Sequence, residues 1–159
     1  MSIIVEDGSI VAGANSYIDG AYLAAYGAAR GITFTADKDV LISFAAAYVE
    51  GLMLKGDKRT KEQSMQYPRL NVYIDGFVID LDEIPELLKH LQCEVAIAVG
   101  DGDDPLATVA RAVKKEKVDV IEVEYQDNAA PFVYNLRIKS LERKLVSNPG
   151  GSSFGVSRT

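Results

Sequence analysis

The side chains best spaced to do chemistry in this chain are Glu86, His90 and Glu94, one helical turn apart. A histidine with carboxylates at i−4 and i+4 puts three ligating groups on one helix face, as a divalent metal requires. Ordinary charge pairing on a helix surface has the same spacing, and His90 is the sole histidine. Asp101, Asp103 and Asp104 alternate with glycines, as in an acidic calcium loop. The Asp-x-Asp-x-Asp-Gly register and the glutamate at position twelve of an EF-hand are missing, so an acidic turn is the expectation. Asp80, Asp82 and Glu83 form the remaining acid cluster, and they precede a helix start, where capping accounts for them. Ser43, Ser64 and Ser140 stand in no nucleophile motif. Cys93 is the only cysteine and lies in an apolar helical pattern, which predicts a buried, inert thiol. No catalytic residue, cofactor site or metal site is expected, and the chain is expected not to be an enzyme.

Composition narrows the remaining classes. With 159 residues the chain is long enough for one domain with a real core, and 48% apolar with 25% charged is ordinary for a globular protein. No apolar run is long enough to span a membrane. The start, Met1 to Asp7, lacks the basic region of a signal peptide. A net charge of −6 argues against sequence-specific DNA recognition, because nucleic-acid binders gather lysine and arginine against phosphates. Two basic segments stand out: Lys55, Lys58, Arg59 and Lys61, and then Arg137, Lys139, Arg143 and Lys144. They read separately as a solvated loop and a solvated helix face.

The elements that must carry these groups are mainly helical. An extended arm, Ile3 to Val5, ends at Asp7-Gly8. A helix over Tyr17 to Ala29, with Ser16 as cap and Ala21, Tyr22, Ala25 and Tyr26 as its apolar stripe, stops at Gly31. A second, capped at Thr35, repeats Val40, Leu41, Phe44, Ala47, Tyr48 and Leu52 at helical spacing and closes at Lys55-Gly56-Asp57. Residues 56–81 form a long connection in which Asp75-Gly76 reads as a tight turn between Val72-Tyr73-Ile74 and Phe77-Val78-Ile79. A third helix, entered near Pro85 and capped by Asp80 or Asp82, buries Leu87, Leu88, Leu91, Val95, Ala98 and Val99 until the Gly100-Asp101-Gly102 break. Val118, Val120, Val123 and Tyr125 mark extended structure. Pro131 opens a last helix to about Leu145, with Tyr134, Ile138, Leu141 and Leu145 on one face. Residues 149–159 are a Gly/Ser-rich tail that does not fold alone. The expected fold is a small bundle of about four helices with a long loop and a short hairpin or strand excursion, one domain over 1–148.

The connection carries a distinctive signature, Gln63-Ser64-Met65-Gln66-Tyr67-Pro68-Arg69, followed by Ile74-Asp75-Gly76 and Ile84-Pro85. Further recognisable pieces are Ala14-Asn15-Ser16-Tyr17, Ala46-Ala47-Tyr48-Val49-Glu50-Gly51, Glu94-Val95-Ala96, Val113 to Val118, and Ile121 to Tyr125. Their order and spacing resemble the head–tail connector (adaptor, head-completion) proteins of tailed phages. That family includes members labelled DnaT-like single-stranded-DNA-binding proteins. Members commonly carry Trp before the Pro-Arg, where this chain has Tyr67.

The resemblance implies a virion structural protein, made in the host cytoplasm. It would form a ring of about twelve identical subunits under the portal protein and dock the tail or a stopper. Packaged DNA would pass through without specific binding, which an acidic surface suits. Gln63, Tyr67, Pro68 and Arg69 are then loop structure. Phe154, Val156 and Arg158 in the tail would dock the portal or a neighbour. Val118, Val120, Val123 and Tyr125 would pair between subunits, the rival being an intramolecular hairpin with residues 108–117. The alternative function is single-stranded-DNA binding, for which Tyr67, Arg69, Tyr73 and Phe77 supply aromatics and a cation.

Overall fold

The computed structural model describes residues 2–104 and 136–147. Among these residues four helices carry the fold: α1 (Gly20–Ala28), α2 (Lys38–Glu50), α3 (Glu86–Gly100) and α4 (Leu136–Leu145). Between α2 and α3 lie four two-residue strands, β1 (Asp57–Lys58), β2 (Arg69–Leu70), β3 (Tyr73–Ile74) and β4 (Phe77–Val78). β1 pairs antiparallel with β2, and β3 with β4. The extended arm reduces to one parallel bridge, Val5 to Ser16. The fold is thus the expected mainly helical domain with short strand pairs. The 118–125 segment and the 149–159 tail lie outside the described residues.

α3 is the central element. Every side chain from Leu91 to Ala98 is buried, so it is wrapped on all sides by α1, α2 and α4. A helix apolar nearly all round belongs in such a position. Its Leu88 and Leu91 are fully buried, each contributing about 1.5–3 kcal/mol by the usual transfer value. α4 covers it with Ile138 and Leu145. The bridge Leu54 to Val146 and the Tyr48 hydroxyl, which donates to the Glu142 carboxylate, hold α4 in place.

Several local expectations are corrected. α1 begins at Gly20, capped by Asp19, whose carboxylate accepts from Tyr22 N at 2.7 Å; Ser16 instead donates to Ile18 O. It buries Leu23, Tyr26 and Gly27; of the expected stripe only Tyr26 is buried, Ala21 and Ala25 being exposed and Tyr22 half-buried. Gly27 is needed there, since a Cβ would come within 2.6 Å of the Phe34 ring. α2 is capped by Asp37, not Thr35, and ends at Gly51. It buries Leu41, Ile42, Ala45, Ala46, Tyr48 and Val49, while Val40 and Phe44 are half exposed. Both helices are apolar nearly all round, so periodicity alone could not select the face. α3 follows Pro85 directly, with no side-chain cap. The Gly100-Asp101-Gly102 run is its C-terminus: Gly102, at φ 96°, and Asp103 donate back to Val99 O and Ala98 O, the Schellman pairing.

Candidate nucleic-acid interface

The signature residues are spent on the scaffold. Gln63 is buried; its amide donates to the carbonyls of Met65, Gln66 and Pro68 at 2.9–3.0 Å while its oxygen accepts from Thr60 N. Arg69, also buried, aims its guanidinium at the carbonyls of Leu54, Lys55, Gly56 and Gln66 and at the Gln66 side chain. Tyr67 is fully buried behind the cis Tyr67–Pro68 bond, edge-on to Tyr17 at 6.4 Å between centroids. Burial pushes the Tyr67 hydroxyl up to about 12, against the pull of Arg69. Glu50 closes the block, accepting from the Tyr17 hydroxyl and Gln66 N, and burial raises its carboxyl above the usual range. Neither Tyr67 nor Arg69 is available to a strand of DNA. A polar signature with so many backbone-matching groups is what a loop without regular structure needs to satisfy its carbonyls.

The metal-spaced trio is not assembled. His90 Nε2 lies 3.6 Å from Glu86, but Glu94 is buried and turned to the Tyr26 hydroxyl (2.8 Å), Arg137 (3.3 Å) and Arg30 (3.5 Å). Among the described residues no group of metal-ligating side chains is found. Cys93 is buried, and desolvation pushes its thiol up to about 12. The carboxylates Asp7, Asp19, Asp80, Asp82, Glu83 and Glu86 line an open groove of about 650 Å³ between the N-terminal arm, α1 and the start of α3. The Tyr22 hydroxyl, 2.7 Å away, holds the Glu86 carboxyl below its usual range.

A second region gathers cations. Lys55 N donates to Leu145 O at 2.9 Å and Ser147 N to Met53 O, so the first basic segment runs beside the C-terminal end of α4, which carries the second. Gly56 sits so close to Val72 that a Cβ there would come within 2.7 Å of it, which brings β1 against the root of the β3–β4 hairpin. Lys144 Nζ bonds Asp75 at the hairpin turn at 2.7 Å, and the Arg59 guanidinium reaches Leu81 O just beyond it. Residues 55–62 hold four cations and two acids, and residues 139–144 three cations and one acid. Each of the two segments thus carries two excess positive charges although the net charge of the chain is −6, and the hairpin between them adds the carboxylate of Asp75. Tyr73 and Phe77 stand out of that hairpin, 58% and 75% exposed. Of the four residues expected to meet single-stranded DNA, then, the structure buries two and presents two, and it adds Lys58, Arg59, Arg143 and Lys144. No local motif could have joined these, because the two segments are some eighty residues apart. The residues expected to dock a portal or neighbour, Phe154, Val156 and Arg158, and the strand residues Val118, Val120, Val123 and Tyr125, lie outside the described residues.

Fold and surface define a small, mainly helical domain, acidic as a whole, in which two basic segments meet beside an aromatic hairpin. The chain belongs to the family described as "Putative DnaT-like ssDNA binding protein", whose model matches residues 1–158. Comparison with curated proteins and with solved structures finds no match.

Proposed function

We propose that this chain binds single-stranded nucleic acid, holding phosphates on the basic face and doing no catalysis. The observation that carries the proposal is the meeting of residues 55–62 and 139–144 around the β3–β4 hairpin. The family's description supports the same reading. An acidic chain binds a polyanion only where its cations are concentrated, and a cluster of its carboxylates lines the groove instead. Fluorescence anisotropy with a labelled dT oligonucleotide between 25 and 200 mM salt tests this. Three or four phosphate contacts give a log–log salt slope of roughly −2 to −3. Lys58→Glu and Arg143→Glu, both at exposed positions, are expected to weaken binding about tenfold each at low salt. Absence of binding at 25 mM salt, or binding that ignores salt and both reversals, would overturn the proposal.

A second reading is the head–tail adaptor: a ring subunit between portal and tail or stopper, located in the virion. Two exposed apolar patches on separate elements favour it, Val40 with Phe44 on α2 and Tyr73 with Val78 on the β3–β4 hairpin. A closed ring of identical subunits needs two different, complementary surfaces per copy. Mass analysis of the protein mixed with its portal ring decides. Saturable co-assembly at about one copy per portal subunit supports this reading, and no association removes it.

A further inference from the structure

Resting on the nucleic-acid reading above, we infer that the β3–β4 hairpin is a base-stacking finger, so that the basic face takes unpaired bases in preference to duplex. The hairpin is small, but it is held at both ends. At its root Val72 is buried and Ile79 N donates to Val72 O at 3.0 Å, and beside the turn Ile74 is buried. At its tip Asp75 and Gly76, with φ 52° and 87°, make the two-residue turn whose twist suits a hairpin, and Lys144 ties Asp75 to α4. A support fixed in this way presents rings at little cost in ordering on binding.

The register decides what is presented. Tyr73 stands opposite Val78 and Phe77 opposite Ile74, so the two rings leave the hairpin on opposite faces. Each ring is more than half exposed, and Lys58, exposed on β1, and Lys144 of α4, which reaches Asp75 at the turn, would take the adjoining phosphates. Every base has a π-face, but in a duplex it is already covered by its neighbours. Stacking is therefore tolerant of sequence and selects for single strands. Bases would supply both an apolar face for the two rings and negative charge for the cations.

The test compares a dT oligonucleotide, a base-free oligonucleotide of equal phosphate count, and a duplex, each at 50 mM salt, with wild type, Tyr73→Ala, Phe77→Ala and Tyr73→Trp. Wild type is expected to bind the dT strand at least about fivefold more tightly than the base-free strand. Each alanine variant should lose at least about fivefold on dT and nothing on the base-free strand, while Tyr73→Trp keeps wild-type affinity. Thermal unfolding of the variants is expected to match wild type, since both side chains are exposed. Salt-dependent binding that is equal for dT and base-free strands, and unchanged in the alanine variants, overturns the finger and leaves the charge reading standing. Loss of self-association in the alanine variants with strand binding intact overturns it too, making the hairpin a contact between copies. Absence of binding to all three strands removes the finger together with the reading it rests on.

Discussion

Arg69→Ala is expected to destabilise the domain by about 3–5 kcal/mol, a large share of the 5–15 kcal/mol typical of a domain. The guanidinium is buried and its five hydrogen bonds end on four backbone carbonyls and one side-chain amide. Alanine leaves the carbonyls of Leu54, Lys55 and Gly56 without this donor, in a segment that has no helix or long strand to absorb them. The same carbonyls join α2 to β1, so their loss loosens the first basic segment as well as the loop. Arg69→Lys is expected to recover only part of the loss, because one ammonium cannot span a fork of donors. Urea unfolding measures this as a fall of about 2 M in midpoint for alanine. A midpoint within about 0.3 M of wild type would show that the arginine is a surface group after all.

Gly8→Ala is the second large effect. Gly8 has φ 104°, and a Cβ there would sit 1.8 Å from the carbonyl oxygen of Asp82. That neighbour is backbone, not a pliant side-chain end, so either the N-terminal arm or the loop before α3 must move. Gly8 N also donates to the buried carboxylate of Glu6, which accepts from Ile10 N and Val11 N as well, so the whole turn follows it. A cost of at least about 3 kcal/mol is expected in chemical unfolding. Gly31→Ala is the control. Gly31 also has positive φ, at 70°, but nothing lies within 4 Å of its Cβ position. The conformational term alone, about 1–2 kcal/mol, is then lost. Equal effects at the two sites would mean that the contact with Asp82 carries no weight.

Both residues show where local reading works and where it stops. Asp75-Gly76 announces a hairpin because the turn's dihedral demand is met by those two residues alone. Gly31 and Gly102 mark helix ends for the same reason. The signature from Gln63 to Arg69 could be recognised as structural from its lack of any chemical partner. Which carbonyls it serves could not, since Leu54, Lys55 and Gly56 reach Arg69 only through the folded loop. The faces of α1 and α2 escaped as well: in Val40-Leu41-Ile42-Ser43-Phe44-Ala45-Ala46-Ala47 nearly every position is apolar, and the choice falls to what fits against α3.

The helices, the glycine-marked helix ends at Gly31 and Gly102 and the hairpin turn were thus set within windows of a few residues, where φ preferences and hydrophobic periodicity act, whereas the helix starts were not. The basic face was set by packing. Lys58 and Lys144 are ordinary solvated lysines in their own segments. They share a surface because Leu145 and Ile138 bury against the central helix and Val146 bridges to Leu54. Charge has no periodicity that records its partners across eighty residues; only the burial of the apolar side chains between them decides which charges meet.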